Sequence, residues 1–545
     1  MTSETEFKGL EPWITELTHA IEFDRSPKPE EYAPFLKLPE LITELIAVIQ
    51  ALADEPEEAA RHHHTACILA FDICVAQLQA AAEHGNKYAV RLMNQLMDAL
   101  AEVMTVSEHT LGFWLPVLNA FYEVHVELNP ALRDAYLDLV DDEEDAMDVD
   151  DEDQTHAMRE MLAELSDLSV FDIAEHFFSQ SHAMPSDFFI DLLLDLYSVE
   201  EGHEIALLFL LHPKPEVRSV VVTTLDGLMP KLELTAVSLN RLQVIQQWYP
   251  AAYEDLFHRW IKIQRRKGVV FAPKQQQEQL RLYATEVDGS GAQGLFMHVQ
   301  LGETNRICGL LFKASLGLKE AWVTSVMTDK EVDQYYQEAF DERMMLREVE
   351  WGFVEKMTNN FLALTREKDA LPGLHLLEIQ EILGVTFVPR ALEVEALLQE
   401  LGVQIVPFTA EVIQGALKRS SQWFRQKGFT QSWFDESAEV DTLVNQCCTI
   451  VDGIKVCAFE QAYDLVMQEV LERERDKWAF HFLWTALWAK SKSSKRERFW
   501  QDSYLVAYAI YSGEVFSVIP IMGRICHLTV VNSLETMQER RGYLN

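Results

Sequence analysis

Leu207–Leu228, LLFLLHPKPEVRSVVVTTLDGL, is the stretch whose reading decides the fold class. Its apolar start reads as the end of one helix, His212-Pro213-Lys214-Pro215 breaks it, and from Pro215 apolar residues recur at helical spacing. Two short helices joined by so tight a turn are expected to lie antiparallel, and neither can bury its apolar face alone. The stretch therefore predicts stacked helices. It carries no reaction chemistry.

The rest of the chain fits around that unit. At 545 residues it exceeds one compact core, so two to four units are expected. A hydrophobic share of 48% predicts a globular rather than a disordered chain. The balance of 46 basic against 87 acidic residues, a formal charge of −41, repels phosphate backbones and anionic lipid. It suits a partner with a basic surface, or serves solubility alone. The first residues, MTSETEFKGLEPW, have no apolar signal core, and runs such as IALLFLL are too short to span a bilayer. Seven cysteines in so long a chain suit a reducing compartment. The expectation is a cytoplasmic protein without a membrane or nucleic-acid partner.

Five segments follow from the patterning. Residues 1–140 read as an N-terminal helical domain, in which LPELITELIAVIQALA places Leu41, Leu45, Ile49 and Leu52 on one stripe. Further helices are expected at 60–82, 86–105 and 113–127, and Asn129-Pro130 opens another. Residues 141–156 read as an acidic linker: ten of the fourteen residues in DDEEDAMDVDDEDQ (Asp141–Gln154) are acidic, and such a run repels itself into an extended state. Residues 157–270 return to helices, with 214–228, 235–248 and 250–266 the clearest. Residues 271–328 hold a small antiparallel β-meander, LRLYATEV, LFMHVQL and RICGLLFK, joined by Gly- and Asn-bearing turns. Residues 329–545 form a C-terminal helical domain with helices at 330–365, 374–383, 391–401, 409–426, 458–490 and 498–511.

Pro215-Glu216-Val217-Arg218 resembles the HEAT repeat, in which a Pro-x-Val-Arg-like start opens the second helix of each pair. Pro130-Ala131-Leu132-Arg133 echoes it 85 residues earlier, about two of the roughly 40–47-residue periods, and Tyr136 and Val221 each stand six residues after their Pro. The resemblance implies irregularly stacked helical hairpins with an extended face for another protein.

Candidate chemistry is sparse. Gly289-Ser290-Gly291-Ala292-Gln293-Gly294 is a GxGxxG, but a strand follows it where a dinucleotide site needs a helix. Strand–loop–strand is the protein-kinase arrangement, with Lys313 near the position of the phosphate-pairing lysine, yet no HRD or DFG occurs. The reading adopted is a Gly-rich hairpin loop, since glycine accepts positive φ. His63, Cys67 and Cys74, beside His62 and His64, share a helical stripe, but Cys74 lies about 10 Å beyond Cys67, too far for one zinc. In CCTIVDGIKVC, an Asp452-Gly453 turn that pairs Val451 with Ile454 puts Cys448 opposite Cys457, where a redox-sensitive disulfide is one outcome and buried thiols the other. Arg259, Lys262, Arg265, Arg266 and Lys267, and Lys490, Lys492, Lys495, Arg496 and Arg498, are basic clusters that either bind phosphate or neutralise neighbouring acids. Trp478, Trp484, Trp488 and Trp500 recur at near-helical spacing as core or groove lining. No GxSxG, HExxH or Walker A sequence is present, so no catalytic, cofactor-binding or metal residue is assigned.

The fold expected is mainly α, with irregular HEAT-like stacked helical hairpins and a small antiparallel β-meander. The function expected is a non-catalytic intracellular protein-binding scaffold or adaptor. The alternatives are a nucleotide- or phosphate-binding enzyme using Gly289–Gly294 and Lys313, and an acidic nucleic-acid mimic or inhibitor acting through Asp141–Asp153.

Overall fold

A computed structural model describes residues 10–22, 41–53, 58–83, 86–124, 126–146, 151–180, 184, 186, 188–273, 279–302, 304–339, 345–423, 432–435, 437–451, 454–492 and 498–542. The protein is mainly helical, with one five-stranded antiparallel sheet and one two-stranded hairpin among the described residues. Packing divides the chain into two units, residues 1–224 and 225–545.

In the first unit, α1 (Glu11–Glu22), α2 (Ile42–Gln50), α3 (Glu58–Glu83), α4 (Lys87–Val106), α5 (Leu111–Glu123) and α6 (Pro130–Ala146) share one core. The spacing of their apolar residues makes that core. Leu45 and Ile49 of α2, Leu92, Leu96 and Leu100 of α4, and Val117 and Phe121 of α5 are all buried at four-residue intervals. The breaks have local causes. Asn86 caps α4 by accepting from the Tyr88 and Ala89 amides, and Asn129 accepts from Leu132 N while Pro130 fills the first helical position.

Two expectations need correction here. Ala60–Glu83 is long and apolar enough to cross a membrane by length and composition, contrary to the reading that no run reaches that length. The helical count includes residues such as His62, Thr65 and Gln79 that interrupt the apolar letters without adding charge. Its Cys67, Ala70, Phe71, Cys74 and Leu78 are buried in the unit's core. The acidic run is also more ordered than an extended linker. Asp141–Ala146 completes α6, and Asp151–Gln154 opens α7 (Asp151–Glu164). Residues 147–150 lie outside the described residues.

After α8 (Val170–Gln180) and α9 (Phe188–Ser198), α10 (His203–Leu208) tightens into a 3₁₀ turn, Phe209–Leu211, before α11 (Pro215–Leu228). Phe209 sits against Phe178 and Phe189 with ring centroids 5.1 and 5.7 Å apart. The Pro-containing break is closed by its own residues: Arg218 donates to the His212 and Pro213 carbonyls, both at 2.7 Å, and Lys214 N donates to His212 Nδ1.

The second unit begins with α12 (Ala236–Trp248) and α13 (Glu254–Arg266), then the sheet. Its strands are β1 (Gln279–Thr285), β2 (Ala292–Leu301), β3 (Thr304–Lys313), β4 (Gly317–Val323) and β5 (Leu346–Glu348), in the order β4-β3-β2-β1-β5. The three expected strands are the centre of this sheet. The other two were hidden. Gly317–Val323 follows a three-residue turn, and Leu346–Glu348 lies inside the run expected to be one helix over 330–365. That run is instead α14 (Asp329–Ala339), β5 and α15 (Trp351–Glu367), because Leu346–Glu348 pairs with Tyr283–Thr285.

Alternation gives the sheet two faces. Leu282, Ala284, Leu295, Met297, Leu310 and Phe312 face one way, and Phe312 stacks on Phe361 of α15 at 4.8 Å. Phe296 and Ile307 face the other way and pack with Val332 of α14. Beyond lie α16 (His375–Leu383), α17 (Val394–Gly402), α18 (Ala410–Ser420), α19 (Ala438–Gln446), the hairpin β6 (Cys448–Val451) and β7 (Ile454–Cys457), α20 (Phe459–Val466), α21 (Arg475–Lys490), α22 (Phe499–Tyr511) and α23 (Pro520–Gly542). A π-helical segment, Met467–Leu471, interrupts the helix expected to be continuous over 458–490.

Candidate functional site

The Gly-rich loop and the C-terminal tryptophans, read separately in the sequence, meet in space. The β1–β2 connection lies against α21, and indole N–H groups pin the two together. Trp484 donates to Gln293 Oε1 at 2.7 Å, Trp488 to Ala284 O at 3.2 Å, and Trp433 to Val287 O at 2.8 Å. Gln293 in turn donates to Thr285 O, so the buried amide is satisfied at both ends. Trp478, Trp484 and Trp488 are thus core, and the polar ends of Trp484 and Trp488, with that of Trp433, fix one hairpin.

The loop's glycines serve that docking. A side chain at Gly289 would run into the backbone of Ser432, Trp433 and Phe434, and Gly291 adopts φ +73°. Three of the loop's own amides are taken, and its carboxylate sits among them. Asp288 N donates to Ala292 O, Gly291 N to Asp288 O, and Ala292 N and Ser290 Oγ to the Asp288 carboxylate, both at 2.8 Å. A phosphate cradle needs free N–H groups and no anion among them. Lys313 closes β3 opposite Ala292 and Gly317, and is not among the residues that line the cavity below the loop.

That cavity has a volume of about 340 Å³. Gly289, Gly291 and Ala314 form one side, Asn360, Phe361, Leu364 and Glu367 of α15 a second, Ala391–Glu393 a third. Lys477, Trp478, Phe480, His481 and Trp484 of α21 complete it. Lys477 is held by Asp435 at 3.0 Å and Glu474 at 2.6 Å. Burial alone would raise the Asp435 carboxyl, but the Lys477 ammonium and hydrogen bonds from Ser437 outweigh it and hold the group below its ordinary range. His481 is buried, edge-on to Trp433 at 4.6 Å, and burial followed by the Lys477 charge pushes it down to about 3, so it is neutral at physiological pH. His481 Nε2 and Trp478 Nε1 are both buried with no protein group in hydrogen-bond reach.

Glu286, two residues before Asp288, has a buried Oε2 without a protein partner, and burial with the Asp288 charge pushes its carboxyl up to about 7. Between the usual glutamate range and about 7, the folded chain holds a proton that the unfolded chain has released. The native state therefore loses stability as pH rises through that window. Glu286→Gln is expected to raise the melting temperature at about pH 8, by about 1 kcal/mol of stability after allowing for the group's partial exposure. The gain should shrink toward about pH 5, where the parent is itself protonated. Melting curves at both pH values check this, and an equal gap at the two would contradict it.

A second, more polar cavity of about 610 Å³ opens on the other sheet face, lined by Arg281, Tyr283, His298, Asn305, Asp329 and Asp333 among others. There His298 Nε2 meets Asn305 Oδ1 at 2.8 Å, and Asn305 Nδ2 donates to Asp329. No local pattern marks this hydrogen-bonded series, because its members come from two strands and a helix start.

The remaining candidates fall as follows. His63 Nε2 lies 3.8 Å from Cys67 Sγ, while burial, then Glu11, pushes the Cys67 thiol up to about 12. Among the described residues no group of three or more His, Cys, Asp or Glu is placed to hold a metal. Cys448 stands opposite Cys457 in the expected register, and the two sulfurs are bonded; the other five cysteines are buried free thiols. The Asp452-Gly453 turn lies outside the described residues. In the first basic cluster Arg259 pairs with Asp226 at 2.6 Å, Arg265 lies over Phe271, and Lys267 caps the Met229 and Leu232 carbonyls. In the second, Lys490 lies over Trp500 and Lys492 pairs with Glu348; Lys495 and Arg496 lie outside the described residues.

One surface stands out for the opposite reason. Val403-Gln404-Ile405-Val406-Pro407-Phe408, between α17 and α18, exposes Val403 at 80% and Val406 at 86% while Ile405 is buried beneath them. Phe408, half-exposed, packs on Tyr508 at 4.9 Å, and one turn further on α22 ends at exposed Tyr511, followed by exposed Val515 and Val518.

Both this surface and α21 fall in the region that matches a known family. Residues 395–534 match the Y4lR C-terminal helical domain, and residues 185–268 match the Y4lR second domain. The chain is 26% identical over 325 residues to the uncharacterized protein y4lR of Sinorhizobium fredii, a match that takes in 56% of this chain and 58% of that relative. No solved structure matches, and no HEAT-repeat family is recognised. The chain is thus similar to Y4lR across two helical segments, and the β-sheet between them lies outside both family matches.

Proposed function

We propose that the protein is a non-catalytic binding protein that holds another protein on the helical surface around Val403–Phe408. The observation that carries this reading is the exposed apolar group Val403, Val406 and Phe408, close together on a loop anchored by buried Ile405. Exposed Glu411 follows it in the chain, and the chain's charge of −41 adds a long-range negative field. An apolar centre in a negative field fits a partner segment whose apolar side chains are flanked by Lys or Arg. Stacked helices in the manner of HEAT proteins suit such a role, since their flat helical faces are broad and rigid. The cytoplasm is the compartment proposed, on the sparse cysteine content.

The test is affinity capture from the native host with the parent chain and Val403→Asp/Val406→Asp side by side. Both positions are so exposed that the change in stability is expected within about 0.5 kcal/mol. A protein recovered by the parent and lost from the variant is the expected outcome. Equal recovery by both would remove this surface from the account.

A further inference from the structure

We propose that the polar cavity beside α14 binds a small zwitterion of the amino-acid class, its carboxylate on Arg281 and its ammonium on Asp329 and Asp333. The cavity, about 610 Å³, lies within the roughly 300–1,000 Å³ of small-molecule sites. One face of the sheet and the first turns of α14 enclose it. Arg281 of β1 stands directly across from His298 of β2, with Tyr283 and Gln300 each two residues along on the same face. Asp329 and Asp333 are one helical turn apart on α14.

The charges specify the chemistry. Among the described residues the Arg281 guanidinium makes no ion pair or hydrogen bond, and neither does the Asp333 carboxylate. Both side chains are exposed, so a solute reaches them. They line one cavity and are not paired with each other. Burial, then the Tyr283 and Tyr335 hydroxyls, pushes the Tyr336 phenol up, and the Arg281 charge opposes that shift, so the guanidinium lies within electrostatic reach of α14. Asn305 organises the floor between the two ends. Its Nδ2 donates to Asp329 Oδ1 at 2.8 Å, so its Oδ1 is the acceptor for His298 Nε2–H, also at 2.8 Å. That holds the imidazole in place and leaves Asp329 Oδ2 to a ligand.

Single charges fit less well. A bare anion on Arg281 would face Asp329 and Asp333, and a bare cation on the aspartates would face Arg281. His298, Asp329 and Asp333 are not placed to hold a metal together. A zwitterion answers both ends at once. Val332, Leu346 and the Tyr283 ring give it an apolar wall, which suits an aliphatic side chain.

The test is calorimetry on the full chain with glycine and L-leucine. N-acetyl-leucine and leucine amide are controls that each lack one charge. The two zwitterions are expected to bind at millimolar concentration, and each control about tenfold more weakly than leucine. Arg281→Gln and Asp333→Asn should each weaken leucine about tenfold, the scale of one lost charged hydrogen bond. Arg281→Gln should leave the affinity for leucine amide unchanged, since that probe has no carboxylate, and Asp333→Asn should likewise spare N-acetyl-leucine. A merely structural role for either side chain would weaken every probe alike and would contradict the assignment. Both variants should melt with the parent, since neither side chain has a partner to lose among the described residues. No binding of either zwitterion would leave these charges to solvent and overturn the proposal. Binding of either control as tightly as leucine would overturn the ligand class.

Discussion

Replacing Gly289 with alanine should destabilise the second unit by about 3 kcal/mol, far more than alanine at another loop glycine. The reason is contact, not backbone angle. The new Cβ would stand 2.5 Å from Trp433 Cα and 2.6 Å from Phe434 N, and would also meet the Ser432 carbonyl. These are backbone atoms, so no rotamer change relieves the clash. The loop or the 432–435 segment must move, and the Trp433 N–H would lose Val287 O. Gly302→Ala is the control, since Gly302, unlike Gly289, has positive φ (+65°) but has open space around it. It should cost about 1 kcal/mol, the usual penalty for an L-residue in the left-handed region. Urea unfolding of the two variants measures both. A Gly289→Ala cost no greater than that of Gly302→Ala would show that the hairpin does not seat against Trp433 as described.

Glu381→Ala should cost about 3 kcal/mol through a different mechanism. Arg241 of α12 is only 4% exposed, and its Nε and Nη2 donate to the two Glu381 oxygens at 2.7 and 3.0 Å. Removing the carboxylate strands a guanidinium away from water, which is the expensive half of a buried pair. Arg241→Met should be milder, because Glu381 is a third exposed and can reach solvent. The double variant Arg241→Met/Glu381→Leu should recover most of the loss, since well-packed apolar residues replace a buried pair at little cost. Unfolding free energies for the three variants test this order. A double variant as unstable as Glu381→Ala would contradict it.

The helices were legible because their signals are local. Asn86, Asn129-Pro130, Pro215 and Gly268 mark breaks whose caps and turns lie within a few residues of chain. The β6–β7 register was legible for the same reason, as two short strands and a two-residue turn leave one in-register pairing. Strand β5 was not, because Leu346–Glu348 is a strand only through its pairing with Tyr283–Thr285, about sixty residues away. The acidic run misled because charge repulsion was weighed without the helices that continue into it from both sides.

The site shows the same limit. Gly289, Gly291, Trp478 and Trp484 were each noted in the sequence, but a Gly-rich loop and a tryptophan stripe nearly two hundred residues apart carry no mark that they meet. His481 drew no notice, being one histidine on an apolar helix. Its interest lies in a ring nitrogen without a protein partner, which only the packing reveals. Val403 and Val406 were likewise invisible, since an apolar letter in a loop does not say whether it points inward, as Ile405 does, or out.

Val403–Phe408 as a partner-holding surface is the central claim. The most direct measurement is the dissociation constant of the protein captured from the host, titrated against the parent chain and against Val403→Asp/Val406→Asp. A loss of about thirtyfold or more, the scale of a binding hot spot, is expected, with unchanged melting of the variant. An affinity equal to the parent's would place the partner elsewhere on the chain and contradict the proposed function.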